Sequence, residues 1–216
     1  MALFHLPEEA AAGYAAAAQA LQRGEMIAYP TETLYGLGVD PFNPQAMDAL
    51  FQLKQRTPEK GVILLIPSLE WLTQLCLPLS AATDSLVRSI WPAPLTLVLP
   101  AQSHLDSCIT GGSGFVALRL SPSHEVAGLM AQWQRPLVST SANPSGAQLQ
   151  WGAEEIQSQW GDQLAVVLKG EVLEGQENSL PSTVVKIEGR RWQLLREGAI
   201  SSAQIESIMI KKADPV

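Results

Sequence analysis

Helix-like and strand-like patterns alternate along this chain with no internal repeat and no linker long enough to divide it, and this alternation narrows the fold class more than any other feature. An alanine-rich segment with Glu8 and Glu9 in its first turn and Arg23-Gly24 at its end reads as a helix. Acids suit the positive end of the helix dipole, and glycine ends helices readily. Residues 26–29 follow as a short buried strand that Pro30 stops. Asn43-Pro44 opens a second helix as N-cap and first-turn pair, and Met47, Leu50, Phe51 and Lys54 fall on one stripe of it. Further strands are expected at residues 62–66, 95–99, 115–120, 137–139, 164–168, 183–187 and 192–195, the last two as a hairpin across residues 188–191. Helical stretches are expected around residues 68–90, after Ser121-Pro122 and from Trp151. The sum is one α/β domain over residues 1–216, with helices flanking a sheet of about seven strands. At 216 residues the chain can bury the core that such a fold requires.

Composition and failed motifs remove several function classes. A net charge of -7 counts against a broadly basic nucleic-acid surface. Cys76 and Cys108 form no CxxC, and His5, His104 and His124 lie far apart, so neither a disulfide framework nor a His/Cys metal site is indicated. A reducing cytoplasm is the expected location. There is no signal-like N-terminus and no run of about 20 apolar residues that could cross a bilayer, so a soluble, unprocessed protein without a membrane partner is expected. Gly170 and Gly175 have the glycine spacing of a phosphate-binding P-loop, but Gln176-Glu177 stands where Lys-Ser/Thr is needed. Gly111-Gly112-Ser113-Gly114 fails as a nucleophile elbow because Phe115 occupies a required glycine position. No GxGxxG follows a strand.

What remains is a set of hydroxyls and cations at strand and helix ends. Pro30-Thr31-Glu32-Thr33-Leu34-Tyr35-Gly36-Leu37-Gly38 leaves its strand with hydroxyls, a carboxylate and two turn glycines, either to meet a ligand or as a well-made turn. Lys54, Arg56 and Lys60 place three of the 14 basic residues within seven positions. Lys54 sits on an apolar face, where its ammonium either meets an anion or snorkels from the helix end. Residues 139–146, Ser-Thr-Ser-Ala-Asn-Pro-Ser-Gly, offer neutral donors suited to phosphate, or else a polar turn before the next helix. Arg119 alternates with Ala117 opposite Val116, Leu118 and Leu120, so it points to solvent or into a cleft. In the final hairpin Trp192, Leu194 and Arg196 are expected on one face.

Five blocks, Pro30 to Gly38, Lys54-Gln55-Arg56, Ser139 to Gly146, Pro181-Ser182-Thr183-Val184-Val185 and Leu195-Arg196-Glu197-Gly198-Ala199-Ile200, stand in the order of the signature blocks of the YrdC/Sua5 family, and the chain resembles its short form over about residues 15–200. The resemblance implies a twisted, mixed α/β sheet around a deep concave cleft. It also implies threonylcarbamoyl-AMP synthesis: L-threonine, bicarbonate and ATP give threonylcarbamoyl-adenylate and pyrophosphate, for threonylcarbamoyladenosine modification of tRNA by a downstream transferase complex. On that resemblance Lys54 and Arg56 are catalytic, and Lys54, Arg56, Ser139, Ser141, Asn143 and Arg196 contact ATP. Thr33, Arg119 and Ser182 hold threonine, with Thr31 and Lys60 as further candidates. Mg2+ arrives with ATP rather than in a protein metal site. Direct tRNA binding is expected to be weak.

Three departures from the family pattern stand out: Lys186 where an acid often follows, Glu197 where proline is frequent, and an acidic, polar stretch over residues 169–181. Two other readings use the same residues. An RNA-binding member would use Lys54, Arg56, Arg119 and Arg196 on phosphates, and a regulatory ATP-binding paralogue would keep the nucleotide loop without turnover.

Overall fold

The computed structural model describes residues 1–143, 152–170, 180–189 and 191–211. The strands among them are β1 (Ala2–His5), β2 (Ile27–Tyr29), β3 (Gly36–Gly38), β4 (Ile63–Leu65), β5 (Leu95–Pro100), β6 (Phe115–Arg119), β7 (Leu137–Val138), β8 (Thr140–Ser141), β9 (Val166–Lys169), β10 (Thr183–Glu188) and β11 (Arg191–Arg196). The helices are α1 (Ala10–Gln22), α2 (Pro44–Lys54), α3 (Leu72–Leu75), α4 (Ala81–Ile90), α5 (Ser107–Thr110), α6 (His124–Trp133), α7 (Ala153–Trp160) and α8 (Ser202–Lys211).

The α/β class is as the sequence implies, but the strands form two mixed sheets instead of one. The first runs β1-β9-β2-β3-β8 and the second β11-β10-β5-β6-β4-β7. β1, β3 and β8 were not expected, because segments of two to four residues carry too little periodicity to register as strands. Gly36 and Gly38 are corrected from turn glycines to strand glycines. A Cβ on Gly38 would stand 2.8 Å from the Tyr29 ring and one on Gly36 3.1 Å from it, so these positions let β3 lie flat on that ring. Helix α1 also begins later than Glu8 and Glu9 suggest. Glu9 is its N-cap, and the Glu9 carboxylate accepts from the His5 backbone N–H at 2.7 Å. The helix expected from Ser121-Pro122 is α6, capped by Ser123, whose hydroxyl accepts from the Val126 N–H. The expected start at Trp151, the Pro-Ser-Gly of residues 144–146, Arg190 and residues 171–179 lie outside the described residues.

Helix α2 follows its sequence signals closely. Asn43 caps it by accepting from the Ala46 N–H at 3.1 Å, and Met47, Leu50, Phe51 and Lys54 are all buried. It stops at Gln55, which takes a left-handed φ of 47°. The Arg56 N–H then reaches back to the Phe51 carbonyl and the Gln55 N–H to that of Gln52, the paired bonds of a Schellman turn with glutamine where glycine is usual. The turn separates two neighbouring cations: Lys54 stays under the helix and Arg56 leaves toward the site.

The two sheets meet where β7, an edge of the second, is followed after the single residue Ser139 by β8, an edge of the first. The Ser139 N–H donates to the Ile63 carbonyl at 2.8 Å, and the Val138 N–H to that of Val39 at 3.1 Å, so the crossing is pinned from both sides. One large apolar cluster spans α2, α4, α8 and both sheets; a second gathers α1 and α6 around β2 and β9. The concave seam between the sheets is left for the site. Among the described residues no helix is long and apolar enough to cross a membrane.

Candidate active site

At the seam lies a cavity of about 460 Å³. Its wall is built by cross-strand register: Ile63, Ala117 and Val98 pair in one row across β4, β6 and β5, and all three face the cavity. Four lining side chains, Arg56, Lys60, Arg119 and Arg196, are cationic, and no described lining residue is acidic. Thr31, Thr33, Thr110, Ser113, Ser139, Thr140, Ser141 and Ser182 complete the polar lining.

The loop after β2 is organised by Thr31. Its hydroxyl donates to the Leu34 carbonyl at 2.6 Å and accepts from the N–H groups of Thr33 and Leu34 at 3.1 and 3.2 Å. Thr31 therefore shapes the turn from within, and Thr33 lines the cavity beside it. Glu32 points the other way, toward Arg119. The Tyr35 backbone carbonyl accepts from the Ala142 N–H at 2.7 Å, which ties this loop to the one after β8.

Lys54 does not line the cavity. The residue is 4% exposed; its ammonium donates to the Ser141 carbonyl at 2.6 Å and to the Asn143 carbonyl, and stands 5.8 Å from the centre of the Trp160 ring. Ser141 lines the cavity and donates to the Asn143 side-chain oxygen at 2.6 Å; Asn143 lies behind it. Lys54 thus meets backbone carbonyls, a third arrangement beside the anion and the snorkel open to the sequence. Burial, assisted by the Arg56 charge, lowers its pKa to about 8.

Arg56 donates to the carbonyls of Lys60 and Gly61 at 3.2 and 2.6 Å, while its buried Nε has no hydrogen-bond partner. Burial pulls it below the usual arginine range. Lys60 is exposed at the rim. Arg119 lies in the cleft rather than in solvent, 5% exposed and 3.4 Å from Glu32.

Arg196 reaches the cavity by a route the alternation misses. In the β10–β11 ladder Ile187 faces Trp192 and Val185 faces Leu194, but a bulge then sets Arg196 opposite Val184. Val184 lines the cavity whereas Val185 is in the core, so Arg196 leaves the face that Trp192 and Leu194 keep. Its guanidinium donates to the Ser182 carbonyl at 2.9 and 3.0 Å and to the Ser182 hydroxyl at 3.0 Å. Gly198 permits the close return of this strand: a Cβ there would stand 2.1 Å from the Pro181 carbonyl oxygen. Burial, then the charge of Arg119, lowers the Arg196 pKa.

Of the eleven expected site residues, the cavity gathers Thr31, Thr33, Arg56, Lys60, Arg119, Ser139, Ser141, Ser182 and Arg196; Lys54 and Asn143 support its wall. Tyr35, Ser113 and Phe115 also line it and were not among the expected site residues: Ser113 and Phe115 were met only in a glycine run that fails as a nucleophile elbow, and Tyr35 only as part of the block after β2.

The Sua5/YciO/YrdC family model, described as "Telomere recombination", matches residues 19–198. The chain is 38% identical to the threonylcarbamoyl-AMP synthase of Vibrio vulnificus (strain YJ016) over 182 residues, covering 83% of this chain and 95% of that protein. It is 43% identical to that of Yersinia enterocolitica over 152 residues, covering 69% and 80% respectively. Among solved structures, Sua5 of P. abyssi complexed with L-threonine superposes with a TM-score of 0.85 at 29% identity, over 96% of this chain and 60% of that one. The chain therefore spans about 60% of the length of that Sua5. A model match across residues 19–198 and these relatives agree with the five sequence blocks: the chain belongs to the Sua5/YciO/YrdC family.

Proposed function

We propose that this protein is a threonylcarbamoyl-AMP synthase, a nucleotidyltransferase acting in tRNA threonylcarbamoyladenosine modification in the cytoplasm. The observation that carries the reading is the cavity lined by four cations and eight serines and threonines without a described carboxylate, since it suits a triphosphate and an amino-acid carboxylate together. The name of the relatives, and the L-threonine held by the P. abyssi protein, supply the substrate class.

In this reaction the threonine amine and bicarbonate give a carbamate and water. A carbamate oxygen then attacks the α-phosphorus of ATP, and pyrophosphate leaves with the electron pair of the broken P–O bond. The protein's part is positioning and charge neutralisation rather than covalent chemistry. Arg56, Lys60 and Arg196 meet the phosphates, with Ser139 and Ser141 as neutral donors. Arg119, Thr33 and Ser182 hold threonine. Lys54 acts through the backbone of residues 141–143, keeping Ser141 at the cavity wall. Asn143 does so by accepting from the Ser141 hydroxyl. Mg2+ enters as the counterion of the triphosphate, because the lining side chains are cations and hydroxyls rather than the carboxylates that hold magnesium.

The test is incubation with ATP, Mg2+, bicarbonate and L-threonine. Pyrophosphate and a labile threonylcarbamoyl-adenylate are expected; ADP with phosphate, or turnover indifferent to threonine, overturns the reading. The product passes to a downstream transferase. With a net charge of -7, direct tRNA binding is expected to be weak and to fall steeply with salt.

A further inference from the structure

Arg119 carries a full charge into a place where 5% of its surface reaches solvent. A guanidinium so buried needs a balancing anion. No described cavity-lining residue provides one; the carboxylate comes from behind, where Glu32 Oε1 stands 3.4 Å from Arg119 Nη2, an ion pair without a hydrogen bond. Glu32 is itself held, since the Ser121 hydroxyl donates to its Oε2 at 2.5 Å and accepts from the Ser123 N–H at 3.2 Å at the start of α6. Glu32 follows β2 of the first sheet, whereas Arg119 ends β6 of the second and Ser121 follows it, so the carboxylate bridges the seam that forms the cavity.

The other cations of the cavity differ. Among the described residues, no carboxylate lies within ion-pair distance of Arg56, Lys60 or Arg196. Among the described residues the cavity thus has one cation paired with a carboxylate and three that are not, and Arg119, like Arg56, keeps a buried Nε without a hydrogen-bond partner. A cation already neutralised in part still offers directional donors but attracts a multiply charged group less strongly. That is what a site needs to take a carboxylate and refuse phosphate.

We propose that Glu32 is a positioning and specificity-determining residue: it fixes the Arg119 guanidinium against the β6–α6 corner and tempers its charge, so that this end of the cavity takes a monoanionic carboxylate in preference to phosphate. The inference rests on the assignment of Arg119 to threonine made above. Glu32→Gln leaves the side chain its shape and removes the charge. Ser121→Ala leaves the charge and removes the hydroxyl that orients it.

Steady-state kinetics of the full chain with inorganic phosphate as probe test this. Glu32→Gln is expected to raise the threonine KM by about tenfold or more, to raise it more than it lowers kcat, and to move the ATP KM by less than about twofold. Phosphate should become a stronger inhibitor competitive with threonine, an effect that mere loosening of the fold does not produce. Ser121→Ala should raise the threonine KM less and leave phosphate inhibition as in the native chain. In the Arg119→Lys background Glu32→Gln should add little, because both act through one group. If Glu32→Gln moved neither the threonine KM nor phosphate inhibition while Arg119→Lys weakened threonine alone, Glu32 would lose this role and Arg119 would keep its own. An Arg119→Lys variant with unaltered threonine KM would sink both. Should Glu32→Gln fail to fold, Ser121→Ala decides: an unaltered threonine KM there counts against the proposal.

Discussion

The Lys54 ammonium lies 2.6 Å from the Ser141 backbone carbonyl, so the last residue of α2 fastens the strand that carries a cavity hydroxyl. A cation at a helix C-terminus ordinarily faces water or the last carbonyls of its own helix. Here the Schellman turn at Gln55 keeps it inside, against a carbonyl 87 positions away.

This placement should give the proposed activity an alkaline limb. Lys54 titrates at about 8 instead of 10.5, because burial and the Arg56 charge disfavour the ammonium. The cation is present below that pH and lost above it. In the profile of kcat/KM, activity should fall as pH rises through about 8. Folding stability should move oppositely. Between pH 8 and 10.5 the unfolded chain binds the proton that the folded chain has released, so this group adds stability as pH rises through that window. Lys54→Met should abolish the limb and lower activity below about pH 8, where the native ammonium is present. A Lys54→Met profile with the same limb would assign it to another group.

Arg196 serves two ligands in the proposed site, directly on phosphate and through Ser182 on threonine. Arg196→Lys keeps a charge but cannot give the three donor contacts to Ser182. Calorimetry should find both ATP and threonine affinities reduced, each by about 1 to 2 kcal/mol, the scale of a charged hydrogen bond. Loss of ATP affinity alone would show that the Ser182 clamp is incidental.

Much of this was legible in the sequence where a long pattern spoke. The α2 stripe, the Asn43 cap and the buried residues of β4, β5 and β6 follow from periodicity and capping chemistry. Arg119 illustrates the boundary: alternation assigns it the face of Ala117, and only the pairing of β6 with β4 and β5 makes that face a cavity wall. The bulge that turns Arg196 away from Leu194 is one extra residue in a ladder, and no residue type announces it. The division into two sheets was missed for a related reason. β3 and β8 carry two or three residues each, and their pairing is fixed by Tyr29 and by the pinned crossing at Ser139, contacts between segments far apart in the chain.

Gln55 holds a left-handed backbone, φ 47°, that costs an L side chain about 1 kcal/mol relative to glycine. Gln55→Gly relieves that strain but gives the unfolded chain more entropy to lose. The net should be a gain of at most about 1 kcal/mol in urea unfolding, whereas Gln55→Val, β-branched at the same φ, should cost about 1 kcal/mol or more. Equal stabilities for the two variants would mean that the Schellman turn does not survive in solution.

The flat contact of β3 on Tyr29 makes the sharpest packing prediction. Tyr29 is 1% exposed, and a methyl on Gly38 would sit 2.8 Å from its ring and 3.0 Å from Leu137. Neither neighbour can swing clear, since the Tyr29 hydroxyl is held by the Val138 carbonyl at 3.3 Å and Leu137 is fully buried. Gly38→Ala should therefore destabilise the fold by about 1 to 3 kcal/mol, the range of overpacked cores. The damage should extend to activity, because β3 pairs with β8 and sets the distance between the loop of Thr33 and that of Ser141. Tyr29→Leu alone should cost stability by leaving a void, yet in combination with Gly38→Ala it should recover part of the loss, the signature of two residues sharing one space. Thermal unfolding of the four chains measures the coupling directly. Strict additivity of the two substitutions would show that the strand accommodates the methyl by moving off the ring, and that Tyr29 is not what requires glycine there.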